Sequence, residues 1–368
     1  MTDTSTPPVL ISERRGALQL LRLNRPRALN ALNLELIEAL RNAVEQALDD
    51  DSIQTLWLES TEQKAFCAGG DIKAVAAALA NKTADQQRQE GYRYFLAEYQ
   101  LDALLANCPK PLVVWAPGLV MGGGWGLFAG GHKRLLSPTS LMAMPELSIG
   151  LFPDVGAAHF LQQPDWRLGT LVGISGIRLS APEAVALGYA DALIVDEASI
   201  ETLKHHLAEG QALSEWQAPP LEQKDDIQNT WNTALDSLPE ANLADWMKHI
   251  QKNNFAPFQQ AADHWKTGSM LSVTLTWHHF RKLRNATRVQ VLEQDLIVGA
   301  HACSEREFAE GVRALLIDKD KNPQWLYPTI ESVPFNLIER FYRPLPFETE
   351  AVWLGDKPGS EEVIEKDT

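Results

Sequence analysis

The chain has 368 residues, 45% of them hydrophobic, and a formal net charge of −15 at neutral pH. That length exceeds one ordinary compact domain, so a large domain with an appendage is expected, and the apolar fraction suffices for a core. Nucleic acid and anionic membrane surfaces are excluded as partners, because both demand clustered Lys and Arg; a small anionic ligand held by a few local donors is not.

The first residues, MTDTSTPPV, hold an acid and prolines but no basic amphipathic stretch, so neither a signal nor a transit sequence is read there. No apolar run reaches the ~18 residues needed to span a bilayer. Leu18, Leu20, Leu21 and Leu23 form an apolar run without alternation, as in a strand covered on both faces. Ile37, Leu40, Val44 and Leu48 then recur at helical spacing. Thr55 to Ser60 and Pro111 to Ala116 read as strands, with a long polar helix from about Asp85 to Ala106 between them. A Gly-rich helix start follows Gly122, and short apolar runs follow at Leu135–Leu136 and Ser140 to Met144. Strands separated by helices predict an α/β fold with a mainly parallel sheet.

The texture changes after about Val195. Residues 1–198 are expected to form the core domain, and 199–368 a helical region packed on it. The acidic Glu215 to Asp226 stretch reads as a linker. Six of the eleven tryptophans (Trp231, Trp246, Trp265, Trp277, Trp325, Trp353) lie beyond it and are expected to anchor helices. The tail from Lys357 is charged and expected to fray. Cys67, Cys108 and Cys303 are widely spaced, with no CxxC pair, which reads as buried thiols in a reducing, cytoplasmic setting.

Local motifs exclude several chemistries. No HExxH occurs, and His205–His206 and His278–His279 are adjacent rather than spaced along one helix face, so no metal site is read. GxSxG and the P-loop are missing, and Gly122–Gly123–Gly124–Trp125–Gly126 lacks the dinucleotide spacing. Two glycine clusters, Ala68–Gly69–Gly70–Asp71 and Met121 to Gly126, each follow a strand and open a helix. Such turns bring backbone N–H groups close to a ligand, and two converging N–H groups would hold a developing oxyanion. Met144–Pro145–Glu146 and Phe152–Pro153–Asp154 then place two acids in apolar surroundings, where paired carboxylates acquire divided proton affinities.

Together these segments resemble the crotonase superfamily, the enoyl-CoA hydratase and isomerase fold. The likeness runs from Leu23–Asn24–Arg25–Pro26 through Ala65 to Ile72, Gly122 to Gly126 and Pro145 to Gly156. It continues in the C-terminal half at Glu307 to Trp325. The resemblance implies a fold of repeated β-β-α units, with Gly70 and Gly123 N–H as the oxyanion hole. It also implies a CoA site around Arg27, Ala28, Ala68 and Lys73. Gly126 stands where hydratases carry one of two catalytic glutamates, and Asp154 where they carry glycine. That pattern, with Glu98–Tyr99 upstream, is most similar to the 3-hydroxyisobutyryl-CoA hydrolases. It implies Glu146 and Asp154 as catalytic carboxylates, with Glu98, Gly123, Glu146 and Asp154 contacting substrate. CoA enters as part of the substrate, with no further cofactor. The alternatives are an enoyl-CoA hydratase or isomerase, or a non-catalytic acyl-CoA-binding protein. Glu146 as nucleophile and Glu146 as base on water both stay open, as do the acyl group and homo-oligomerisation.

Overall fold

The computed structural model describes residues 7–347. Trp353 and the tail from Lys357 lie outside them. The N-terminal half runs β1 (Leu10–Arg15), β2 (Leu18–Leu23), α1 (Leu34–Asp49), β3 (Thr55–Ser60), β4 (Ala65–Cys67), α2 (Ile72–Leu79), α3 (Ala84–Ala106), β5 (Leu112–Ala116), β6 (Leu119–Met121), α4 (Gly123–Ala129), β7 (Lys133–Leu136) and β8 (Leu141–Ala143). It continues with α5 (Ala157–Phe160), α6 (Trp166–Ser175), β9 (Leu179–Ser180), α7 (Ala181–Ala186) and β10 (Ala192–Leu193). Helices follow: α8 (Glu197–Ala208), α9 (Lys224–Asp236), α10 (Leu243–Lys252), α11 (Ala256–Trp265), α12 (Met270–Lys282), α13 (Arg288–Ala302), α14 (Arg306–Val312) and α15 (Phe335–Arg340).

Two sheets form, ordered β1-β2-β3-β5-β7-β10 and β4-β6-β8-β9. Among the described strands, β1 with β2 and β8 with β9 pair antiparallel, and the other strand pairs are parallel. In the larger sheet, Leu18, Leu20, Trp57, Val113 and Leu135 face α8, against Ile200, Leu203 and Leu207. Leu21, Leu23, Leu56, Leu58 and Val114 point into the main core on the other side. Covering on both faces explains why β2 shows no alternation, since all four of its leucines are fully buried. Each such leucine contributes roughly 1.5–3 kcal/mol through burial. Glu59 is buried beneath α8 and is satisfied by Lys204 Nζ and Trp57 Nε1, both at 2.8 Å.

Helix starts follow local chemistry. Asn33 caps α1 by accepting from Leu36 N–H at 3.0 Å, and Thr83 with Gln86 forms a capping box on α3. The expected linker is non-helical only from Trp216 to Gln223, after which α9 begins at Lys224. Beyond it, Trp231, Trp246, Trp265 and Trp277 are buried between helices, as anchors should be. Trp325 is half-buried, and its Nε1 donates to Thr267 O at 2.8 Å. The C-terminal helices share the main core with the sheets. Helix α13 crosses α3 tightly: a Cβ on Gly91 would come within 2.5 Å of Cys303 Sγ and one on Gly299 within 2.9 Å of Phe95.

Candidate active site

Strands β4, β6 and β8 lie side by side and parallel, with Ala65 opposite Leu119 and Leu119 opposite Leu141. Segments leaving their C-terminal ends therefore emerge together, as in other parallel sheets that carry their sites at this end. Those segments are Ala68–Gly70, Gly122–Gly123 and Met144–Glu146. Gly69 (φ 95) and Gly122 (φ 50) make the turns in the left-handed region that glycine tolerates. The turns approach closely: a Cβ on Gly69 would sit 3.0 Å from Met121 O and 3.4 Å from Gly123 N. Among the described residues, neither Gly70 N–H nor Gly123 N–H donates to a protein acceptor.

These turns open onto a cavity of about 720 Å³. Its wall contains every residue expected from the sequence to act in catalysis or binding: Gly70, Gly123, Glu98, Glu146 and Asp154, with Arg27, Ala28, Ala68 and Lys73. The segment bearing Arg27 and Ala28 is held by Asn30. Fully buried at φ 54, Asn30 donates through Nδ2 to Phe66 O at 3.0 Å and accepts from Arg25 N–H at 2.8 Å. Ala68 N–H donates to Leu29 O at 3.0 Å, which fixes the distance between these two wall segments. Arg178 and, from a π-helical turn at Arg313–Ile317, Leu315 and Leu316 also line the cavity. Sequence reading missed these three, which come from segments remote from the glycine motifs.

The acids sit deep. Glu98, Glu146 and Asp154 are 2%, 6% and 5% exposed. A Cβ on Gly123 would approach Glu98 Oε1 to 2.2 Å, and one on Gly122 would approach Glu146 Oε1 to 2.7 Å. Both carboxyls thus press against the backbone of the second glycine turn. Tyr99 donates to Asp154 Oδ2 at 2.6 Å. Glu146 Oε2 is buried with no hydrogen-bond partner among the described residues. Burial pushes the Glu98 carboxyl well above the ordinary range, and the charges of Asp154 and Asp102 add to this. Burial and Asp154 do the same to Glu146. Asp154 is pushed up to about 7 by burial, with the Tyr99 hydrogen bond opposing and Asp295 reinforcing.

One further acid had no role assigned from sequence. Asp102 lies one helical turn beyond Glu98, is 2% exposed, and has no hydrogen-bond partner on either oxygen. The signal was an acid four residues after Glu98 among Leu101, Leu104 and Leu105. Asp102 also explains Gly126, where the sequence suggested only a missing glutamate. A Cβ there would meet Val155 Cβ at 2.8 Å and Asp102 Oδ1 at 3.0 Å, so the space for a side chain is already taken.

Burial, reinforced by Asp154, raises the Asp102 carboxyl well above its ordinary value. The folded state therefore keeps a proton that the unfolded chain releases near pH 4. Stability from this group is complete below that pH and falls as pH rises toward the folded pKa, by about 1.4 kcal/mol per unit. Asp102→Asn should become steadily more stable relative to the parent between about pH 4 and pH 7. Urea midpoints across that range measure the trend, and parallel pH curves for the two proteins would refute it.

A family model described as Enoyl-CoA hydratase/isomerase matches residues 18–342. The chain belongs to this family. Among family members, 3-hydroxyisobutyryl-CoA hydrolase, mitochondrial, of Gallus gallus is 31% identical over 369 residues, covering 94% of this chain and 90% of that protein. The Rattus norvegicus protein of the same name is 33% identical over 93% of this chain and 90% of its own length. An enoyl-CoA hydratase from Rhodobacter sphaeroides 2.4.1 superposes with a TM-score of 0.82 at 27% identity, over 92% of this chain and 98% of that one. The crotonase-type fold, with its helical C-terminal region, is thus shared over nearly the whole chain.

Proposed function

We propose that the protein hydrolyses the thioester of a short 3-hydroxyacyl-CoA, foremost 3-hydroxyisobutyryl-CoA, to free CoA and the 3-hydroxy acid, a step of valine breakdown. The observation that carries this reading is the set Glu98, Glu146 and Asp154 on one cavity wall, combined with the filled space at Gly126. A second glutamate on α4, as water addition to an enoyl group would use, has no room. The named hydrolases among its relatives point the same way.

In this reading the thioester oxygen lies between Gly70 N–H and Gly123 N–H, donors that need no rearrangement as charge develops. Glu146, once ionised, is a stronger base or nucleophile than an ordinary carboxylate because its proton affinity is raised. It either adds to the thioester carbon, forming an anhydride that water opens, or takes a proton from the water that adds directly. On both routes the C–S bond breaks, sulfur leaves with the electron pair and acquires a proton, and a C–O bond replaces it. Glu98 and Asp154 bind the 3-hydroxyl and pass protons. Arg27, Lys73 and Arg178 at the wall supply local positive charge for CoA phosphates despite the net charge of −15. This chemistry calls on water and these side chains, with CoA arriving as part of the substrate.

No helix among the described residues is long and apolar enough to cross a membrane. The cytoplasm is the compartment we propose, and three free buried thiols fit its reducing conditions. The Gallus gallus and Rattus norvegicus relatives are named as mitochondrial proteins. For the activity, purified protein is incubated with 3-hydroxyisobutyryl-CoA and thiol is followed with a chromogenic disulfide; crotonyl-CoA is run in parallel for loss of the enoyl absorbance. Rapid thiol release from the first and little change in the second is expected. Hydration of crotonyl-CoA without thiol release would replace the hydrolase with a hydratase.

A further inference from the structure

Asp154 sits in a turn whose backbone is strained immediately after it. Val155 is β-branched yet lies at φ 53, and Gly156 follows at φ 82. A left-handed β-branched residue is rare and persists only where its surroundings over-determine it. Inside the turn, Ala157 N–H donates to Asp154 O at 2.8 Å. From outside, Gly156 N–H donates to Asp295 Oδ2 at 2.9 Å, from a residue 139 positions further along on α13. The other oxygen of Asp295 lies 2.7 Å from His279 Nε2 on α12, and both side chains are fully buried. His279 Nδ1 lies 3.2 Å from the Tyr342 hydroxyl, and the Phe152 ring meets the imidazole edge-on at 5.1 Å between centroids. One buried pair therefore holds the chain on both sides of Asp154, at Phe152 and at Gly156.

We propose that His279 and Asp295 are positioning residues that aim Asp154 across the cavity from behind, while Tyr99 fixes its carboxyl from the side. The proposal rests on the reading of Asp154 as a working carboxylate. Stability alone does not call for this pair, since apolar residues of matching volume commonly serve as well as a buried polar pair. What apolar residues cannot do is accept the hydrogen bond from Gly156 N–H, and a bond to a carboxylate is among the strong ones.

Steady-state kinetics of thiol release test this with Asp295→Ala, Asp295→Asn, Asp154→Asn and the double variant Asp154→Asn/Asp295→Ala. Asparagine keeps an acceptor for Gly156 N–H and can still pair with the imidazole. We expect Asp295→Ala to lower kcat about ten- to a hundredfold, as small displacements of reacting groups do, with KM within about threefold. Asp295→Asn should stay within about threefold of the parent. In the Asp154→Asn background, removing Asp295 should change kcat by less than about twofold, because the residue it acts through is gone. An Asp295→Ala enzyme with unchanged kcat, or one losing the same factor in both backgrounds, would overturn the positioning role. A fully active Asp154→Asn enzyme would instead overturn the reading of Asp154 on which the proposal stands. If Asp295→Ala does not fold, His279→Leu with Asp295→Leu replaces it, leaving neither buried partner alone, and the same outcomes apply.

Discussion

Replacing Glu146 by glutamine should reduce thiol release by roughly a thousandfold or more, because the proposed reaction relies on its carboxylate as nucleophile or base. The substitution is nearly isosteric. Glu146 Oε2 has no hydrogen-bond partner to lose, and the carboxyl already resists ionisation through burial and the neighbouring Asp154. The fold should therefore tolerate the amide well. CoA-thioester binding should also persist, since the wall formed by Arg27, Ala28, Ala68 and Lys73 is built from other segments. Stopped-flow thiol release measures the first expectation, and calorimetric titration with a CoA thioester the second. Turnover within tenfold of the parent would remove Glu146 from the centre of the reaction. A single turnover in ¹⁸O-water, followed by mass analysis of the peptide bearing Glu146, detects one route directly: label in the protein marks an anhydride opened at the Glu146 carboxyl carbon.

Gly123→Ala should cost about as much as losing an oxyanion donor, roughly 10²–10³ in kcat. The added methyl would lie 2.2 Å from Glu98 Oε1 and 3.3 Å from Leu32 Cδ1. The Glu98 carboxyl must therefore turn into the cavity it lines, or the glycine turn must shift. Either movement disturbs the arrangement of Glu98, Gly123 N–H and Gly70 N–H. The loss should fall on kcat more than on KM, since the donors matter most once charge has developed on the thioester oxygen. Kinetics on the purified variant, with circular dichroism confirming the fold, test the prediction. A normal kcat would overturn the expectation that the added methyl displaces the Gly123 N–H from its place in the site.

Much of this was legible in the chain because the informative features were local. The leucines of β2, the segments that became β3 and β5, and the helical stretch that became α3 all follow periods that neighbouring residues reveal. The glycine turns and the proline-flanked acids were legible for the same reason, since each is a short motif at the end of a strand. Gly126 was only half legible: the absence of an acid could be read, but not the presence of Val155 and Asp102 in its space. His279 and Asp295 were opaque. Nothing in the order of residues 270–302 says that a histidine on one helix and an aspartate on the next will meet behind a turn at Gly156. His278–His279 was set aside as metal-incompetent, and adjacency in sequence says nothing about what one of the pair packs against. The cavity-lining Leu315, Leu316 and Arg178 were hidden by the same long-range geometry.

The tight crossing of α13 on α3 at Gly91 and Gly299 has a consequence for how the protein is born. A ribosome delivers Glu98, Glu146 and Asp154 well over a hundred residues before the helix that braces them. Until residues 288–302 emerge, the face of α3 bearing Phe95 and Tyr99 lacks the surface it packs against, and the turn beside Asp154 lacks its distant acceptor. The nascent chain thus carries all three acids yet leaves apolar surface unpaired, as in the partly folded states that chaperones shelter. The cavity wall is closed late, once α13 has docked and the turn bearing Leu315 and Leu316 has joined it.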